Sequence, residues 1–128
     1  MIIAGIGTDL VEIARLAGAL ERHGERFGER ILGSQEQVDW RRAGCSPRFL
    51  AKRFAAKEAA AKALGTGFRN GVRFADIQVI HDDLGKPYLD FTAAAAARAA
   101  ELGVIQSELS ITDERAYALA FVVLVRQK

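Results

Sequence analysis

Two acids and two lysines stand where chemistry is possible. Asp9 lies near the end of an apolar segment and shares its face with Gly5 and Gly7, because side chains alternate along a strand. Two glycines beside a carboxylate leave room for a ligand or for close backbone approach, and an acid at a strand end also serves as a turn or helix cap. Lys57 and Glu58 fall in an alanine-rich run where Leu50, Phe54, Ala61 and Leu64 cluster at helical spacing, with Phe49 at the margin. A charge inside an apolar stripe has to be paired or directed at a ligand. Glu58 also precedes Lys62 by four residues, which fits an exposed helical ion pair contributing about 0.3–0.5 kcal/mol, and Lys57 can snorkel. Carboxylates from separate segments suit Mg²⁺, a hard ion that takes one or two of them and completes its shell with water and substrate phosphates. There is no His/Cys cluster for zinc, and His23 and His81 are isolated. Neither a Walker lysine–hydroxyl pair nor an intact GxGxxG is present. The chemistry suggested is a magnesium ion, a basic helix and a polyphosphate ligand.

The elements that must position these groups are well punctuated. Residues 2–11 read as a strand, and residues 12–23 as a helix with Ile13, Leu16 and Leu20 on one face and Gly24 as its stop. A shorter helix follows over 25–32, and Ser34 offers a cap for another that runs through Trp40 and ends near Gly44. Ser46-Pro47 opens the longest helix, which continues to Leu64 and stops at Gly65. Residues 66–71 are loop. Strands at 76–82 and 88–91 form a hairpin, Thr92 caps an alanine-rich helix that stops at Gly103, and strands at 108–112 and 117–125 form a second pair. Antiparallel pairs joined by short turns favour an α+β fold over a doubly wound parallel sheet.

Length and charge narrow the function classes. A chain of 128 residues, half of them hydrophobic, is expected to form a single domain over residues 1–128. Its longest apolar stretches, 117–125 and 93–97, fall well short of the roughly 18 residues of a membrane span. No charged region precedes the first strand, and the lone Cys45 forms no intrachain disulfide, so a reducing, cytoplasmic setting is expected without a membrane role. The net charge is +2, yet residues 41–73 carry +8 and the rest of the chain −6. Such a block suggests a local anionic partner or a solvated basic face. A non-catalytic module that binds nucleic acid or a nucleotide through this block is the alternative reading.

Two long motifs carry a resemblance. Gly5-Ile6-Gly7-Thr8-Asp9-Leu10-Val11-Glu12-Ile13 resembles the opening of the holo-[acyl-carrier-protein] synthases, members of the 4′-phosphopantetheinyl transferase family. Arg53-Phe54-Ala55-Ala56-Lys57-Glu58-Ala59-Ala60-Ala61-Lys62-Ala63, followed by Gly65-Thr66-Gly67, is similar to their second signature. Gly85-Lys86-Pro87 and the closing strand pair come in the order the family has them.

The resemblance implies the family's small trimeric fold, a mainly antiparallel sheet packed on a long helix. It implies transfer of the phosphopantetheine arm of coenzyme A to a serine of apo acyl carrier protein, releasing adenosine 3′,5′-bisphosphate, with no nucleic-acid partner. By matching position Asp9 and Glu58 would bind Mg²⁺, and Lys62 would hold a pyrophosphate oxygen. Arg53, Lys57, Gly65, Thr66, Gly67, Pro87 and Thr112 would lie around the coenzyme. Arg15, Arg22 and Arg26 would receive the acidic carrier, although Glu21, Glu25 and Glu29 interleave with them. A homotrimer with sites between subunits is implied, one Asp9 facing a neighbour's Glu58. The sequence has no poised histidine for the serine proton, which leaves a carboxylate or a metal-linked water. Many relatives have Ser-His where this chain has Thr112-Asp113, and Asp113 would repel phosphate unless it faces away or pairs with a cation such as Arg115.

Overall fold

The computed structural model describes all residues, 1–128. The long strand β1 (Ile2–Glu12) leads directly into helix α1 (Ile13–His23). Helices α2 (Glu25–Ile31), α3 (Ser34–Arg42) and α4 (Pro47–Ala63) follow. A single 3₁₀ turn, Phe74–Asp76, precedes the hairpin β2 (Ile77–His81) and β3 (Pro87–Phe91). Helix α5 (Ala93–Glu101) then leads to the strand pair β4 (Val104–Asp113) and β5 (Tyr117–Arg126). The strands form two sheets, a three-stranded one in the order β1-β5-β4 and the β2-β3 hairpin, and all pairings are antiparallel.

Helix α4 is the centre of the molecule. The Ser46 hydroxyl accepts the Phe49 N–H at 3.2 Å, and Pro47 occupies the first turn where its missing N–H costs no bond. The expected apolar stripe is in fact an almost complete girdle, with Leu50, Ala51, Ala55, Ala56, Ala59, Ala60, Ala61 and Ala63 all buried. Alanine is what allows this, because its small side chain lets neighbouring backbone approach. A Cβ on Gly7 would lie 1.9 Å from the Ala59 carbonyl oxygen, and one on Gly5 would lie 2.0 Å from that of Ala63. The two glycines therefore serve close backbone packing of β1 on α4, and a hollow of about 290 Å³ lined by Ile6, Gly7, Thr8 and Lys62 opens beside them.

Three local expectations change. Gly33, not Ser34, is the N-cap of α3, and its N–H donates to the Glu36 carboxylate at 2.9 Å. Thr92 precedes α5 but its hydroxyl makes no cap; it donates to the Asp76 carbonyl at 3.4 Å. Strand β4 begins at Val104, four residues ahead of the apolar alternation, because it follows β5 through an irregularity between Val104 and Gln106. No helix is long and apolar enough to cross a membrane.

Candidate active site

Asp9 is one of four odd-numbered β1 positions turned toward α4, and its side chain is mostly buried. It caps nothing, since α1 starts after Glu12 without a side-chain cap. Instead it accepts the Lys62 ammonium at 3.2 Å, while Lys62 also donates to the Thr8 carbonyl at 2.9 Å. Lys62 pairs across to β1 and not back along its own helix to Glu58. Glu58, half-buried one turn before, holds its proton above the usual carboxylate range. Burial is the main cause and the charge of Asp9 the second, while Lys62 and Arg15 pull the other way. Two carboxylates and a half-exposed ammonium thus converge from β1 and α4. They do so within one chain.

The donor set suits a small hard cation. No group of three or more His, Cys, Asp or Glu side chains assembles anywhere in the chain, which leaves a two-carboxylate site. An ion that fills most of its shell with water and phosphate oxygens needs no more than that. Burial and, after it, the charge of Asp9 raise Glu58, and a dication between the two acids would oppose both.

The turn after α4 lies beside this cluster. Gly65 (φ +79) and Gly67 (φ +59) take left-handed conformations, and their N–H groups bond the Lys62 and Ala61 carbonyls at 3.0 and 3.1 Å. The Thr66 hydroxyl donates to the Gly67 carbonyl. Arg98 of α5 closes the helix end, its Nε donating to the Leu64 carbonyl at 2.9 Å.

Lys57 has another place than the one expected. It is fully buried, and its three protons go to Glu36 Oε1 at 2.6 Å, the Phe74 carbonyl at 2.9 Å and the Ile77 carbonyl. No donor is left for a phosphate. The Glu36 carboxylate also accepts the Val79 N–H at 3.0 Å and lies 3.4 Å from Arg53 Nη1, tying α3, α4 and β2 together. Burial lowers the pKa of both Lys57 and Arg53, and Glu36 opposes the shift. Glu36 was not singled out by sequence reasoning. The signal was indirect: a lysine in an apolar stripe requires a buried acid, but nothing local says which one.

Arg53 is nearly buried, stacks on the Phe49 ring at 4.4 Å and borders a hollow of about 180 Å³ with Phe49, Lys52, His81 and Ile111. Pro87 pairs with His81 across the hairpin near this hollow. Thr112 lies elsewhere, on the sheet face turned away from α4. It borders a separate depression with Leu10, Tyr117 and Leu119, so one chain does not bring Thr112 to Arg53. Asp113 pairs with Arg48 at 2.9 Å and Lys52 at 3.7 Å; Arg115 contributes only its carbonyl, to Arg48.

Arg15 and Arg22 line the largest groove, about 370 Å³, with Leu16, His23, Phe27 and Phe54. Arg26 does not join them, because Gly24 (φ +70) redirects the chain into α2. Glu25 and Glu29 pair with Arg41 of α3, at 3.9 and 2.6 Å, and leave Arg15 and Arg22 without ion-pair partners. Long-range pairing also alters the basic block. Seven of its nine cations have carboxylate partners, and only Arg42 and Arg69 have none.

Comparison with known proteins gives a consistent picture. The family model of the 4′-phosphopantetheinyl transferase superfamily matches residues 5–122. The holo-[acyl-carrier-protein] synthase of Halorhodospira halophila is 59% identical over 123 residues, 96% of this chain and 98% of that protein. The crystal structure of the holo-[acyl-carrier-protein] synthase of Neisseria meningitidis superposes with a TM-score of 0.91 at 43% identity, covering 98% of this chain and all of that one. That of Helicobacter pylori, solved in complex with coenzyme A, superposes with a TM-score of 0.82 at 28% identity over 94% of this chain and 99% of that one.

Proposed function

The chain belongs to the 4′-phosphopantetheinyl transferase superfamily, and from that premise we propose that it transfers the 4′-phosphopantetheine group of coenzyme A to a serine hydroxyl of apo acyl carrier protein. Adenosine 3′,5′-bisphosphate is the other product. The observation that carries this reading is the meeting of Asp9, Glu58 and Lys62 in a chain so similar, end to end, to the synthases.

Transfer from a diphosphate builds charge on the phosphoryl and leaving oxygens, so catalysis is mainly positioning and electrostatic stabilisation. Asp9 and Glu58 would hold Mg²⁺, which when bound neutralises and polarises the diphosphate. Lys62 presents a half-exposed ammonium held in place by Thr8 and Asp9, and it stabilises charge on a diphosphate oxygen. The Gly65–Gly67 turn closes the donor site beside it. No histidine stands among the three charged groups, so the serine proton would go to a carboxylate or to a metal-linked water. Arg15 and Arg22 receive the acidic carrier along α1. Arg15 is also close enough to Glu58 to lower its pKa, which links the docking groove to the reacting centre.

Assembly into a homotrimer has support from the sheet. The face turned away from α4 exposes Ile6, Leu10, Leu119 and Phe121, an apolar patch of the kind that marks a protein interface. Thr112 opens onto that same face, which suits a site completed by a neighbouring subunit. The alternative of a nucleic-acid module loses ground, because seven of the nine cations of the basic block already have carboxylate partners.

The test is to incubate the protein with apo acyl carrier protein, coenzyme A and Mg²⁺ and to weigh the carrier intact. A gain of one phosphopantetheine mass is expected. An unchanged carrier would overturn the reading.

A further inference from the structure

The end of α4 carries Lys62, and most of what holds that end is internal to it. The carbonyls of Ala60, Ala61 and Lys62 are taken by the N–H groups of Leu64, Gly67 and Gly65 at 2.9, 3.1 and 3.0 Å. The Thr66 hydroxyl turns back to the Gly67 carbonyl at 2.8 Å. The Leu64 carbonyl lies beyond the last helical residue, where the helix supplies no further donor. It is taken by Arg98 Nε at 2.9 Å, from a residue 34 positions later on α5. Every other hydrogen bond of residues 64–67 begins and ends between residues 60 and 67, so Arg98 is the one hydrogen-bonded tether from this turn to the rest of the fold.

Arg98 suits that place in three ways. Its guanidinium sets a positive charge at the negative end of a 17-residue helix. It lies close over the turn, since a Cβ on Gly65 would stand 3.4 Å from Nη2. Its own helix is anchored through the buried Ala95 and Ala99, so the tether has a fixed base. The remaining contact of Arg98, Nη1 to Glu101 at 3.2 Å, is with a well-exposed carboxylate on the same helix, and a pair of that kind adds little.

We propose that Arg98 is a positioning residue for transfer: through the Leu64 carbonyl it fixes the Gly65–Gly67 turn in the shape that receives the donor, without itself touching either substrate. The proposal rests on coenzyme A being the donor and on this turn closing its site. A turn held in place before the donor arrives avoids an ordering cost at each encounter.

Steady-state kinetics with both substrates test it. Arg98→Met is expected to raise KM for coenzyme A about fivefold, with kcat and KM for the carrier near wild type. Arg98→Lys keeps a cation within reach of the Leu64 carbonyl and recovers most of the loss. Glu101→Gln breaks only the exposed pair and leaves each constant unchanged. Amide hydrogen exchange gives a local readout: Gly65, Thr66 and Gly67 exchange faster in Arg98→Met by more than any change in the β5 amides. An unchanged KM for coenzyme A in Arg98→Met, an equal rise in KM for both substrates, or the same effect from Glu101→Gln would overturn the positioning role. If Arg98→Met melts early, Arg98→Gln, uncharged and shorter, carries the same contrast, and an unchanged KM or equal changes with both substrates again refute it. Absence of transfer by the wild-type protein would count against the underlying reading of function instead, so the two failures are distinguishable.

Discussion

Lys62 reaches across from α4 to Asp9 of β1, Nζ to Oδ1 at 3.2 Å, and leaves Glu58 on its own helix without an ion-pair partner. This choice creates an unbalanced carboxylate at the centre of the site. Glu58 is half-buried and feels a second acid, so the fold carries an electrostatic strain there that a cation would relieve.

That strain sets a pH dependence. Below its ordinary pKa of 4.5, Glu58 is protonated in both folded and unfolded chains and contributes nothing. As pH rises, the unfolded chain releases the proton first, so stability falls through the window above 4.5 and the loss is complete once folded Glu58 has ionised. In metal-free buffer at pH 7, Glu58→Gln is expected to raise Tm by about 1–3 °C, a modest gain because solvent screens a half-exposed group. The gain vanishes in acid. Mg²⁺ raises Tm of the wild type and not of the variant, which thermal melting in EDTA and in Mg²⁺ checks.

Gly7 is the narrowest point between strand and helix. Gly7→Ala forces a methyl group against the Ala59 backbone, which cannot move aside as a side chain can. It is expected to destabilise the fold by about 3 kcal/mol, read from urea unfolding, and to slow transfer by separating Asp9 from Glu58.

Lys57→Met separates a structural from a ligand role. With its ammonium gone, Glu36 stays buried with one cation fewer, and a loss of about 3–5 kcal/mol in chemical denaturation is expected. Whatever fraction folds keeps the wild-type KM for coenzyme A. A raised KM without loss of stability would return Lys57 to the coenzyme.

How far the site was legible follows from how local its causes are. The α4 helix was readable because its cap, its first-turn proline, its alanines and Gly65 are all written within the segment. Asp9, Glu58 and Lys62 stood out by pattern, as charges beside glycines and on an apolar helix. Their partners did not. Lys57 finds Glu36 21 residues away, and Arg48 finds Asp113 65 residues away, so a run that reads as +8 is mostly compensated in space. The resemblance groups Arg26 with Arg15 and Arg22, and only the backbone at Gly24 turns it away. Close packing had the same character. Gly5 and Gly7 read as room for a ligand or for close backbone approach, and only the α4 backbone opposite them shows the close approach.

Carrier docking predicts a contrast along the chain. Arg22→Glu is expected to raise KM for the carrier several-fold with KM for coenzyme A unchanged, and the effect shrinks as salt is added. Arg26→Glu, outside the groove, stays near wild type. Arg15→Glu affects the carrier KM and also kcat, because its charge reaches Glu58. Initial rates at two ionic strengths distinguish the three.

On the proposed function, Asp9 and Glu58 form the centre of Mg²⁺-dependent phosphopantetheine transfer. The most direct measurement is the rate at which apo acyl carrier protein gains the phosphopantetheine mass from coenzyme A. It compares the wild type, with and without EDTA, against Asp9→Ala and Glu58→Ala variants shown by circular dichroism to be folded. Transfer by the wild type in Mg²⁺ alone, with none from either variant, is the predicted result. Substantial transfer in EDTA, or by either folded variant, would contradict it.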